Sequence, residues 1–121
     1  MEKSDFDVKF YDLADGTKPA KDFVLELPKK MRAKVYRAID MLEENGSELR
    51  EPYSKHLNDG IFELRAQIGS DISRVLYFFM VGKRAVLTHG FIKKTQKTPP
   101  SQIDRAKKYR AEYVSREENK L

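Results

Sequence analysis

The chain has 121 residues, 24 lysines and arginines against 19 acids for a formal charge of +5, and no cysteine. Disulfides and thiolate metal sites are thereby excluded, and two histidines as far apart as His56 and His89 do not suggest a zinc centre, so no metal or cofactor is expected. The N-terminus MEKSDFDVKF lacks an apolar leader and no window reaches the ~18 apolar residues of a membrane span, so the expectation is one cytoplasmic domain over residues 1–121 with no membrane association.

Asp5 to Leu13 alternates Phe6, Val8 and Phe10 with polar neighbours, the period of a half-buried strand, and Asp15-Gly16 ends it. Pro19 suits the first turn of a helix carrying Ala20, Phe23, Val24 and Leu27 on one face. A second helix runs from about Lys29 to Glu44, with Met31, Val35, Ala38, Ile39 and Leu42 in register and Asn45-Gly46 as its stop. A polar stretch containing Pro52 and His56 reads as loop. Three strands follow, Gly60 to Ile68, Ile72 to Val81 and Arg84 to Lys94, joined by short glycine-bearing connections that favour an antiparallel meander. Thr98 can cap a last helix whose first turn holds Pro99 and Pro100. The expected fold is α+β, ordered β-α-α-β-β-β-α, with the helices packed on one face of a small, mostly antiparallel sheet.

Strand alternation sorts the polar residues. Glu63 and Arg65 share a face opposite Phe62 and Leu64, and Arg74 opposes Val75 and Tyr77. In the last strand Lys93 shares a face with Leu87, His89 and Phe91, while Lys94 leaves on the other side. A cross-strand ion pair from Glu63 to Arg65 or Arg74 is the plain account of these charges. The functional account is a helix-free concave face on which Arg65, Arg74 and Lys93 converge on a phosphate, because guanidinium forks match phosphate oxygens. Between Lys93 and Arg110 lie seven bases against the single acid Asp104, as a polyanion-binding footprint requires and as a solvated helix face would also give. His89 sits in an apolar strand pattern, which suits a hydrogen-bonded core histidine. Tyr109 and Tyr113 could stack on bases or pack the last helix onto the sheet.

The series GIFELRAQIG, ISRVLYFF, VLTHGFIKKTQKTPP and IDRAKKYRAEY resembles the RelE/ParE toxin superfamily, closest to its HigB-type branch of phage-derived toxin-like proteins. The resemblance spans nearly the whole chain and is most specific from Gly60 to Pro99. It implies a RelE-like fold and the toxin of a type II toxin–antitoxin pair, a metal-independent endoribonuclease that cuts mRNA in the ribosomal A site. The ribose 2′-OH would attack the adjacent phosphate, leaving a 2′,3′-cyclic phosphate and a 5′-OH. Arg74 would clamp the phosphorane, Arg65 would stand where relatives keep a basic residue, and Lys93 or Lys94 would neutralise charge or protonate the leaving oxygen. Many relatives use a lysine pair, or a histidine and a C-terminal tyrosine, around the scissile group, whereas this chain has Glu63 and Arg65 on that strand. The base is thereby left open between Glu63, His89 and a lysine, or the rate is left to charge stabilisation. Lys94, Gln96, Lys97, Arg105, Lys108 and Tyr109 would contact RNA or ribosome, with Tyr109 a match to a C-terminal tyrosine of relatives. The implied partners are the ribosome, mRNA and a small helix-turn-helix, HigA-like antitoxin. A ParE-like gyrase inhibitor and a non-catalytic RNA or ribosome binder are the competing readings.

Overall fold

Pattern and turn chemistry produce most of the observed elements. The computed structural model describes residues 6–93 and 97–120. Strand β1 (Asp7–Phe10) leads into helices α1 (Pro19–Leu25) and α2 (Lys29–Asn45). Strands β2 (Ser54–Asn58), β3 (Ile61–Ile68), β4 (Asp71–Met80) and β5 (Arg84–Lys93) follow, and α3 (Pro100–Glu118) is last. Helix α1 opens on Pro19, whose missing N–H is no loss in a first turn. Helix α2 ends at Gly46, where φ is +55° and an added Cβ would lie 2.1 Å from the Phe6 ring, so both backbone and packing require glycine.

The five strands form one sheet in the order β1-β5-β4-β3-β2. Strands β2 to β5 are an antiparallel meander, and β1 lies parallel to β5 at the far edge. The α+β class and the RelE-like arrangement therefore hold, with β2 added. The sequence SKHLN is mostly polar because both the edge position and its partly open face leave little to bury, so it reads as loop and yet pairs with β3.

Packing on one face does not hold. Helices α1 and α2 place Val24, Met31, Val35, Ala38 and Leu42 on Leu64, Val75, Tyr77 and Leu87. Helix α3 covers the opposite face, with Ala106 and Tyr113 packed among Tyr11, Ile61, Leu76, Phe78 and Val86. The reason is that β4 is apolar on both faces, and a second helical layer is needed to remove the Leu76 and Phe78 side from water. Three arginines make polar contacts around this layer. Arg110 reaches Asp59, Arg84 reaches Tyr113 and Glu117, and Arg116 reaches Asp12 and Glu112.

A β-bulge in β5 changes one expectation about faces. Leu76 pairs with His89 but Tyr77 pairs with Leu87, so Thr88 is an extra residue and its hydroxyl donates to the Leu76 carbonyl at 3.0 Å. Leu87 thus joins the α1–α2 side while His89 turns towards α3, although simple alternation puts them together. No helix among the described residues is long and apolar enough to cross a membrane.

Candidate active site

Strand β3 presents Glu63 and Arg65 to the α3 side, and β4 presents Arg74 directly across from Arg65. Two facing guanidiniums repel unless an anion stands between them, and Glu63 is that anion. Its Oε2 lies 3.1 Å from the Arg74 guanidinium and 3.3 Å from Arg65 Nε, and its Oε1 accepts a second contact from Arg74 at 3.3 Å. Thr98 closes the group. Its Oγ1 donates to Glu63 and accepts from Arg74 at 3.1 Å. The expected capping role for Thr98 is not seen, since Pro99 is the N-cap of α3 and makes no side-chain cap bond.

The exposed arginine face expected from the sequence is therefore closed. Glu63 and Arg74 are 0 % exposed, whereas the Arg65 side chain keeps 14 % of its surface in water. The physical reason is the helix on this face: α3, with Thr98 just before it, roofs the middle of the sheet and leaves its flank open. Along that flank, between β2 and the start of α3, runs a cleft of about 420 Å³ lined by Lys55, His56, Glu63, Lys97, Thr98 and Asp104, among others. His56 Nε2 accepts from the Gly60 N–H at 3.2 Å, which leaves Nδ1 as the protonated nitrogen of the neutral ring. Lys55, His56 and Thr98 carry no motif signal. Only the register that pairs Lys55 with Glu63 brings the first of them here.

Residues 22–111 match the family described as Phage derived protein Gp49-like (DUF891). The chain belongs to the Gp49-like family. This is a phage-derived, toxin-related family of RelE/HigB-like kind, and the matched span includes all of β2 to β5 with Glu63, Arg65, Arg74 and Thr98. No curated protein matches the chain.

In this Gp49-like chain His89 is a buried residue of the α3 layer. Its Nε2 lies 2.9 Å from Gln102 Oε1, its Nδ1 lies 3.1 Å from Thr88 Oγ1, and Tyr109 meets the ring edge-on at 5.8 Å. Burial, assisted by the Arg105 charge and opposed by the Gln102 bond, pushes its pKa down to about 4. Leu76 stands between it and Glu63 in the pairing, so the sheet does not bring His89 to the carboxylate. Lys93 is exposed and pairs with Ile72, on the Arg74 face as alternation predicts and one step nearer the strand end. Lys97, Arg105 and Lys108 are exposed along the start and outer side of α3. Tyr109 is half-buried, stacked on Tyr11 at 4.7 Å with the Arg105 guanidinium 5.5 Å above it, so packing takes most of the ring. Lys94 and Gln96 lie outside the described residues.

Proposed function

We propose that the protein is the toxin of a type II toxin–antitoxin pair, a HigB-type, ribosome-dependent endoribonuclease. The observation that supports it most is a water-reaching arginine, Arg65, held by a buried carboxylate at the edge of a cleft that Lys55, His56 and Lys97 line. In this reading the scissile phosphate of mRNA enters the cleft. The 2′-oxygen forms its bond to phosphorus, the bond from phosphorus to the 5′-oxygen breaks, and the products are a 2′,3′-cyclic phosphate and a 5′-OH. Glu63, whose carboxylate lines the cleft, accepts the 2′-proton, since Leu76 stands between that carboxylate and His89 in the sheet. Arg65 stabilises the charge that develops on the equatorial oxygens, and Arg74 with Thr98 holds Glu63 in place. Lys97 protonates the leaving 5′-oxygen, while Lys93, Arg105 and Lys108 hold flanking backbone by charge. A helix-turn-helix antitoxin in the same cytoplasm neutralises it.

The test is translation in vitro followed by primer extension on the mRNA. The wild-type chain is expected to make codon-phased cuts that require translating ribosomes, and Arg65→Ala to reduce them by at least about a hundredfold, the scale of a lost charge-stabilising donor. Absence of translation-dependent cuts would sink the reading, and DNA damage with intact mRNA would select gyrase inhibition instead.

A further inference from the structure

A second hollow is somewhat larger than the cleft beside Glu63. On the other side of Arg65, where β2 begins and the edge of β3 opens towards α2, lies this hollow of about 470 Å³, lined by Lys34, Arg37, Tyr53, Arg65 and Gln67 among others, with no acid in its lining among the described residues. Its α2 wall comes from the run KKMRAKVYR, Lys29 to Arg37, which holds five bases and no acid. Met31 and Val35 bury the inner face of that run, which leaves Lys34 and Arg37 exposed. Lys34 donates to the Gln67 carbonyl at 3.0 Å, which also guards an open sheet edge. Arg37 has no hydrogen-bond or ion-pair partner among the described residues. Tyr53 is 41 % exposed. Its backbone is fixed beside Arg65, whose N–H donates to the Tyr53 carbonyl at 2.8 Å, and the residue lines the same hollow as Lys34, Arg37 and Arg65.

We infer that this hollow is a nucleotide subsite for single-stranded RNA, with a phosphate on Arg37 and Lys34 and a base stacked on Tyr53. The combination selects RNA over an acidic peptide. Carboxylates would use the cations but leave the ring in water, whereas a nucleotide supplies both an anion and a π-face. Arg65 lines this hollow and its partner Glu63 lines the cleft, so one strand can cross the arginine with its reacting phosphate on one side and a flanking nucleotide on the other. The assignment deepens the nuclease reading and rests on it for the direction of the strand.

The experiment is fluorescence anisotropy with a fluorescein-labelled single-stranded RNA octamer, over a range of salt, on wild type, Arg37→Glu and Tyr53→Leu. Both positions are exposed, so thermal melts are expected to match wild type. Arg37→Glu should weaken binding about tenfold or more and reduce the slope of log K against log salt by about 0.7, the loss of one single-strand phosphate contact. Tyr53→Leu should weaken binding about tenfold with the slope unchanged, as lost stacking does. Wild-type affinity in both folded variants overturns the subsite, as does wild-type protein that binds a glutamate-rich peptide and not the octamer. A wild-type chain that binds the octamer with these dependences but makes no translation-dependent cuts upholds the subsite and sinks the nuclease reading.

Discussion

At the scale of single residues, Glu63 joins what the sheet would otherwise push apart. Arg65 and Arg74 face each other across β3 and β4, and the carboxylate contacts both. Removing one member of a fully buried pair leaves the other charge without compensation, which costs about 3–5 kcal/mol. Glu63→Ala and Arg74→Ala are therefore expected to lower unfolding free energy by about 3–5 kcal/mol in urea titrations, and Arg65→Ala by less, because Arg74 and Thr98 still hold the carboxylate. Loss of toxicity in Arg74→Ala alone would report stability as much as chemistry, and Arg65→Ala separates the two. His89 gives a second expectation. Its pKa falls from 6.5 to about 4 on folding, so above pH 6.5 both states hold a neutral ring and the folded state has its full stability. Between pH 6.5 and about 4 the unfolded chain binds a proton that the folded chain refuses, and stability falls as pH falls. The full loss is about 3 kcal/mol, of which about 2 kcal/mol is reached by pH 5. Among the described residues the groups that meet the ring are Thr88, Phe91, Gln102, Arg105 and Tyr109, none of them a carboxylate. His89→Asn should flatten this part of the profile in urea titrations at pH 7 and pH 5, and an unchanged slope would refute the assignment.

At the scale of elements, alternation carries a reader far where strands are regular and fails where they are not. It places Glu63, Arg65 and Arg74 on one face and Lys93 with them, as the pairing of β3, β4 and β5 shows. It misplaces His89 relative to Leu87, because one extra residue at Thr88 resets the period and nothing in LTHGF marks the bulge. It cannot choose a side for α3 either. An amphipathic helix declares which of its own faces is apolar and not which face of a two-sided sheet receives it, and β4, apolar on both sides, accepts either. Thr98 goes unread as a site residue because a threonine before two prolines has a cap as its ordinary role. Gly90 is the informative residue of β5. An added Cβ would lie 2.3 Å from the Phe23 ring of α1, so glycine permits that ring to lie on the strand. Gly90→Ala should cost about 1–3 kcal/mol of stability, as overpacking does. Phe23→Leu in the same chain should recover part of it, a coupling measurable by a double-mutant cycle. Strict additivity would show that the ring simply turns away.

At the scale of the molecule, the basicity concentrated from Lys93 to Arg110 divides into charges paired with a carboxylate and exposed ones. Arg110 and Lys107 both turn to Asp59 at the β2–β3 turn, with Arg110 also donating to the Asp59 carbonyl at 2.5 Å, while Lys97, Arg105 and Lys108 remain exposed. Asp59 itself is 67 % exposed at its side chain, so these pairs lie in high dielectric and contribute little to holding α3 down compared with the apolar contacts of Ile103, Ala106 and Tyr113. Their main effect is on the field. Each cation held by Asp59 is partly neutralised next to Asn58 and Asp104, which line the candidate cleft. Asp59→Asn should therefore leave thermal stability within about 1 kcal/mol of wild type. It should raise affinity for the RNA octamer severalfold at low salt, with the gain shrinking as the Debye length falls to about 3 Å at 1 M. A gain that persists at high salt would mean that the substitution has reshaped the cleft. No gain at all would mean that RNA does not pass over this end of α3, and would restrict the nucleic-acid path to the Arg65 side of the sheet.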